Sequence, residues 1–204
     1  MAADMEDELH LGPDLIAVLP NPVDVAGIRE AQKQPQKWTG TGPHLLALGR
    51  LSHEKGFDLL LQAMVTVRGR FPHADLLIAG AGAEESALKE QATALGLQNA
   101  VRFAGHLKQP YAYFPGTTLF VLSSRHEGMP NALLEAAAAG LPIVATPCAG
   151  GVVDLLRDRP GAWLAAEVSA PALADSLLVA LQTLHPELRT SHALSHLTAR
   201  TARA

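Results

Sequence analysis

The sequence is poor in cysteine, in aromatic residues and in net charge, and each shortage excludes a class of protein. Its 204 residues include one cysteine, Cys148, so no internal disulfide can form and a reducing cytoplasmic compartment is expected. Aromatic residues make up 4% of the chain, too few for the stacking surfaces that bind single-stranded nucleic acid. The net charge of −4 also argues against a nucleic-acid partner, because such a partner requires a concentrated basic face.

Long apolar runs are lacking as well. A transmembrane helix needs about 20 consecutive apolar residues. The nearest approach, LLEAAAAGLPIVAT, is interrupted by Glu135, Gly140 and Pro142. The acidic start MAADMEDELHLG also lacks the basic segment of a signal peptide. We therefore expect no transmembrane segment, which leaves peripheral membrane contact of a full-length protein open.

What the sequence does contain is an alternation of short apolar runs with helical patterns from residue 44 onward. Runs typical of buried strands occupy residues 44–49, 74–80, 100–105, 117–124, 141–146 and 161–165. Helical patterns lie between them and in residues 170–184, while LKQPYAYF, broken by Pro110, forms at most a short helical piece. Strands this apolar are buried on both faces, and the alternation implies right-handed parallel crossovers. The prediction is an α/β fold, a Rossmann-like doubly wound parallel sheet of about six strands, ordered 3-2-1-4-5-6 by fold analogy.

Composition divides the chain into three parts. Residues 1–22 are predicted to be an acidic N-terminus and the remnant of a linker, residues 23–184 the Rossmann-like domain, and residues 185–204 a polar tail. The Pro, Gln and Gly residues of the first 43 positions indicate linker and turns rather than core.

Charged and glycine-rich loops follow the predicted strands, at the edge where such sheets bind ligands. In GRLSHEKG (49–56), Arg50 and Lys55 stand at a helix entrance, and two cations at a helix N-terminus suit a diphosphate. In SSRHEGMPNALLE, Glu127 and Glu135 surround the next helix entrance. Ionised carboxylates only accept hydrogen bonds, so the pair suits the hydroxyls of a sugar or ribose. The alternatives are a solvated turn for the cations and two ordinary surface acids for the carboxylates.

Two further glycine-rich loops carry weaker signals. GAGAEE (80–85) lacks the third glycine of the dinucleotide fingerprint, so NAD binding is not expected there. TPCAGG (146–151) offers a second glycine-rich helix entrance whose backbone amides could cradle phosphate oxygens.

The motifs GRLSHEKG, F-x-G at Phe103–Gly105 and SSRHEGMPNALLEAAAAGLPIVAT follow one another in this order. The combination resembles retaining GT-B glycosyltransferases of the large family 4, over roughly residues 16–184. The resemblance implies the C-terminal, donor-binding half of a GT-B fold. It implies transfer of a sugar, with retention, from a nucleotide diphosphate sugar to a glycan, lipid or small-molecule acceptor, without a metal or a further cofactor.

The resemblance also assigns roles to individual positions. Arg50 and Lys55 would contact the donor diphosphate, and Glu127 would hydrogen-bond the transferred sugar; these three form the predicted catalytic set. Glu135 would accept hydrogen bonds from the ribose, and the backbone at His106 and Leu107 would face the base. The remaining predicted donor-binding positions are Gly49, Gly128, Met129, Pro130, Asn131 and Leu134.

Members of the family usually have a first domain that carries the acceptor site and a catalytic His or Asp. LIAVLPNPVD resembles the hinge between the two domains, so we expect this chain to be the donor half and to be inactive without an N-terminal domain. Asp154 stands where the family often has Glu. Two other functions stay open at this stage: a related two-domain enzyme, such as a sugar-nucleotide epimerase or a glycogen phosphorylase, and a module that only binds the donor.

Overall fold

The structure is a computed structural model and describes residues 21–35, 37–148 and 151–184. Its strands are β1 (His44–Leu48), β2 (Asp75–Ala79), β3 (Val101–Phe103), β4 (Leu119–Leu122), β5 (Ile143–Ala145) and β6 (Ala162–Leu164). Its helices are α1 (Val25–Gln32), α2 (Phe57–Arg70), α3 (Glu85–Ala94), α4 (Asn131–Ala138), α5 (Val152–Leu156) and α6 (Ala170–Thr183). Two 3₁₀ turns cover His53–Lys55 and Pro110–Tyr113.

The strands form one parallel sheet in the order β3-β2-β1-β4-β5-β6, which confirms the predicted doubly wound fold. Side chains alternate between the two faces of the sheet. In β1, Leu45 and Ala47 pack in the core beneath α2, α3 and α6, whereas Leu46 packs in the core beneath α1, α4 and α5. Because both faces are covered, β4 and β5 are apolar throughout, and so are β1 and β2 after their first residues, whereas the edge strand β3 carries the exposed Arg102.

The prediction that residues 1–43 contain linker and turns rather than core is wrong for the segment around α1. Asp24 caps this helix by accepting a hydrogen bond from the backbone N–H of Gly27. Ile28 is fully buried and Trp38 is 7% exposed, and both belong to the core on the α4 side. The helix is only eight residues long, and it stands among the Pro, Gln and Gly residues that indicated linker and turns.

The other differences are small. The segment LKQPYAYF contains the 3₁₀ turn at Pro110–Tyr113, as expected of a short helical piece. Pro130 is the residue that immediately precedes α4. Cys148 is buried, with 1% exposure, as a small apolar side chain would be.

In the described ranges, the helices are all too short or too polar to span a bilayer. Residues 1–20 and the predicted tail lie outside the described residues.

Candidate functional site

A cleft of about 460 Å³ opens at the carboxyl end of the sheet. The residues that follow β1, β2 and β3 form most of the cleft wall. The first turns of α4 form the rest. The lining residues that concern the site are Gly49, Arg50, Gly80, Ala81, His106, Leu107, Pro110, Asn131 and Glu135. The structure therefore brings together six of the predicted site residues: Gly49, Arg50, His106, Leu107, Asn131 and Glu135.

Glycines allow the loops at the floor of this cleft to approach one another. A β-carbon on Gly80, which has φ +150°, would lie 1.7 Å from the carbonyl oxygen of Gly49. A β-carbon on Gly82 would lie 2.2 Å from the carbonyl oxygen of Leu51. The partial G-x-G motif is thus explained by close backbone packing, since only glycine leaves room for these contacts.

Lys55 and Glu127 form an ion pair beside the cleft, outside its lining. Lys55 Nζ lies 2.5 Å from Glu127 Oε1, and the side chains are 24% and 8% exposed respectively. Ser124 also donates to Glu127 Oε1, at 2.7 Å. The stem of Lys55 passes close to Gly49, because a β-carbon there would lie 3.6 Å from Lys55 Cδ. The pair therefore stands next to the part of the cleft that Gly49 and Arg50 line.

The loops after β1 and β4 are joined by contacts that the sequence did not predict. Arg125 forms a two-pronged ion pair with Asp58, with both N–O distances 2.6 Å, and donates to the carbonyl of His53 at 2.9 Å. Ser123 donates to the carbonyl of Lys55 at 2.9 Å. These bonds fix the backbone on either side of Lys55 and Glu127. The available sequence signals were an acid in the first turn of α2, Asp58, and an arginine in the loop after β4, Arg125.

The Arg125–Asp58 pair makes stability depend on pH. Hydrogen bonding from the Arg125 guanidinium lowers the pKa of Asp58 below its ordinary value. A carboxyl with a lowered pKa stabilises the fold above its unfolded-state pKa, about 4, and that contribution is lost as the pH falls through the folded-state pKa. Asp58→Asn should therefore cost about 1 kcal/mol at pH 7 and reduce the loss of stability below about pH 4. Urea unfolding from pH 7 down to pH 3 measures both effects.

Asp175→Asn is the matched control, since Asp175 is exposed on α6. It should leave the acid dependence of unfolding as it is in the wild type. If Asp58→Asn unfolds like the wild type at every pH, the pair makes no contribution to stability.

The turn that leads into α4 is held by backbone and linker contacts. Asn21 donates to the carbonyl of Met129 at 3.0 Å and to Asn131 Oδ1 at 2.7 Å. The backbone N–H of Gly151 donates to the carbonyl of Gly128 at 3.1 Å, so this amide of the predicted TPCAGG nest is already bonded. Residues 149–150 of that loop lie outside the described residues.

Six predicted positions are absent from the wall of the cleft as the structure describes it: Lys55, Glu127, Gly128, Met129, Pro130 and Leu134. The Pro130 and Leu134 side chains are buried, and that of Met129 is 38% exposed. Of the described residues, no three or more His, Cys, Asp or Glu side chains are grouped as metal ligands.

Glu135 has a partner that the sequence did not reveal. Tyr111, in the second 3₁₀ turn, donates its hydroxyl to Glu135 Oε1 at 3.0 Å. Beyond Tyr111 lies a larger cleft of about 790 Å³, between α1 and residues 108–112. None of the predicted site residues lines that cleft. Its larger size alone therefore does not make it the candidate functional site.

The chain is a Rossmann-like α/β domain with a cleft at the carboxyl ends of its strands, the edge at which such sheets bind ligands. Residues 28–191 match the family of glycosyl transferases group 1, and the chain belongs to this family. A curated relative from Haemophilus influenzae, described as an uncharacterized glycosyltransferase, is 36% identical over 120 residues, 59% of this chain and 34% of that protein.

Solved structures show the same fold. A glycosyltransferase from Rickettsia africae superposes with a TM-score of 0.80 at 18% identity, over 97% of this chain and 54% of that one. Anabaena HepE, solved in complex with UDP, superposes with a TM-score of 0.75 at 21% identity, over 96% of this chain and 55% of that one. The GT-B neighbours confirm the predicted fold family. The chain spans roughly a third of the length of curated relatives that it matches, 34% in the first case and 27% in another.

Proposed function

We propose that this chain binds a nucleotide diphosphate sugar in the 460 Å³ cleft and is the donor-binding half of a retaining, metal-independent glycosyltransferase. The observation that carries the proposal is the convergence on one cleft of Arg50, the His106–Leu107 backbone and Glu135. These residues come from three separate loops or helices, and the resemblance assigned them to the diphosphate, the base and the ribose. Retention of configuration rests on the family resemblance.

The charges beside the cleft suit a diphosphate leaving group. In the transfer, the bond between the anomeric carbon and the β-phosphate oxygen breaks, and a bond to the acceptor oxygen forms. Negative charge therefore develops on the departing nucleoside diphosphate, and fixed cations stabilise it. Arg50 is exposed on the cleft wall, and Lys55 has three N–H donors, of which Glu127 uses one. In this proposal the two side chains supply the positive field without a metal ion.

The two carboxylates would serve the two ends of the donor. Glu127 already accepts from Lys55 and Ser124 through Oε1, so its other oxygen is the acceptor for the transferred sugar. Glu135 lies in the cleft wall near Pro110, on the side of the predicted base contacts, which suits the ribose. Charge-assisted hydrogen bonds of this kind are stronger than neutral ones.

UDP is the first nucleotide to test, because the structure of HepE was solved with it. The acceptor, whether glycan, lipid or small molecule, is proposed to bind to a further domain of the full-length protein. On this view the isolated chain binds the donor and does not turn it over.

Calorimetry with UDP, GDP, ADP and the corresponding sugars tests the donor site. At least one nucleoside diphosphate should bind the wild-type chain. Glu135→Ala should then weaken that binding by about 1–3 kcal/mol, because a hydrogen bond to a charged group is lost.

Glu90→Ala is the matched control, since Glu90 is exposed on α3, and its nucleotide affinity should equal that of the wild type. If none of the nucleotides binds at millimolar concentration, the donor-site proposal is wrong. Sugar transfer by this chain alone would instead contradict the proposed division between donor and acceptor halves.

A further inference from the structure

The hydrogen bond between Tyr111 and Glu135 lies between the two clefts described above. Glu135 and Pro110 line the 460 Å³ cleft, and Tyr111 and Pro110 line the 790 Å³ cleft. The Tyr111 hydroxyl reaches Glu135 Oε1 across this boundary at 3.0 Å. The carboxylate is thus held from the side that faces away from the predicted nucleotide.

Tyr111 is well placed to orient a carboxylate. Pro110 begins the 3₁₀ turn, and its ring fixes the backbone angle φ immediately before Tyr111. The Tyr111 ring packs against Phe114, with ring centroids 5.3 Å apart. The phenol therefore reaches Glu135 from a backbone and a ring that are both held in place.

The phenol acts as a donor at neutral pH. Burial, followed by the hydrogen bond and the negative charge of Glu135, raises the pKa of Tyr111 to about 12. The Tyr111 hydroxyl therefore stays protonated and donates a hydrogen bond, which the Glu135 carboxylate accepts. An ionised carboxylate offers about four acceptor sites, so one bond to Oε1 leaves Oε2 available to a ligand.

We propose that Tyr111 is a positioning residue, which holds the Glu135 carboxylate so that its remaining acceptor sites meet the ribose hydroxyls of the donor nucleotide. This inference rests on the proposed function and adds a residue that acts through Glu135 without touching the ligand itself. A carboxylate fixed before the ligand arrives loses less conformational freedom on binding, and that raises affinity.

The test compares a ribonucleotide with its analogue that lacks the ribose hydroxyls. Wild type and Tyr111→Phe are titrated by calorimetry with the tightest binder among UDP, GDP and ADP, and then with its 2′,3′-dideoxy form. Tyr111→Phe should weaken binding of the ribonucleotide roughly threefold to tenfold, as expected for one lost hydrogen bond. Affinity for the dideoxy analogue should be unchanged, because that analogue has no hydroxyl for Glu135 to accept.

Two further variants separate positioning from general damage. Tyr113→Phe removes a hydroxyl from the same turn, on a ring that packs edge-on against Trp38, and should bind both nucleotides as the wild type does. In a Glu135→Ala background, adding Tyr111→Phe should cause no further loss of affinity.

The outcomes distinguish this proposal from the one on which it rests. Failure of the wild type to bind any of the three ribonucleotides overturns the donor site, and the role of Tyr111 with it. If the wild type binds and Tyr111→Phe loses equal affinity for both nucleotide forms, Tyr111 is merely structural. If Tyr111→Phe binds the ribonucleotide as well as or better than the wild type, the phenol does not assist Glu135.

Discussion

Replacing Gly80 by alanine is expected to destabilise the fold by roughly 3 kcal/mol or more and to abolish measurable nucleotide binding. The new β-carbon would lie 1.7 Å from the carbonyl oxygen of Gly49, a backbone atom that cannot move aside alone. Gly80 also has φ +150°, which side chains rarely adopt. Relief of the overlap would push apart the loops after β1 and β2, which form the floor of the cleft. Chemical denaturation and calorimetry with UDP measure the two effects.

Gly69→Ala is the control for this prediction. Gly69 lies in α2, and a β-carbon there would meet nothing within 4 Å. Alanine should stabilise the helix by about 0.5–1 kcal/mol and leave nucleotide affinity unchanged. If Gly80→Ala is as stable as the wild type, the close approach of the two loops is not a real constraint.

The second large effect is expected from Lys55→Ala. Loss of the Lys55 ammonium group removes a cation from the predicted diphosphate site. The affinity for nucleoside diphosphates should therefore fall by about 1–3 kcal/mol. It also leaves the Glu127 carboxylate, 8% exposed, with Ser124 as its remaining described partner. The free energy of unfolding should therefore fall by about 1–3 kcal/mol as well, since an unpaired buried charge is costly.

A double variant separates these two effects. In Lys55→Met/Glu127→Gln no charge is left unpaired, so most of the stability should return while nucleotide affinity stays low. Lys89→Ala is the matched control, because Lys89 forms an exposed pair with Glu85 on α3. Recovery of affinity together with stability in the double variant would show that Lys55 serves the fold and not the ligand.

The sheet could be predicted because each of its strands can be recognised from a short stretch of neighbouring residues. Each strand is a short apolar run with a helix or loop on either side, and burial on both faces follows from that composition. The helix α1 could not be recognised, since Ile28 is its one buried residue and the rest of its contacts come from distant parts of the chain. Packing of α1 against α4 makes it part of the core.

The candidate site was predictable in outline but not in its internal contacts. Spacing alone placed Arg50 and Glu135 at strand ends and helix entrances, and the structure places both in one cleft. The pairing of Lys55 with Glu127 joins residues 72 positions apart, and that of Arg125 with Asp58 joins residues 67 apart. Such partners depend on how the loops meet, because many acids in the sequence could equally have paired with either cation.

A crystal structure of this chain with bound UDP would show directly whether the 460 Å³ cleft is the donor site. Donor binding in this cleft predicts the diphosphate beside Arg50 and Lys55, the uracil against the backbone of His106 and Leu107, and the ribose hydroxyls on Glu135. UDP bound in the 790 Å³ cleft between α1 and residues 108–112, or bound with its ribose away from Glu135, would contradict it.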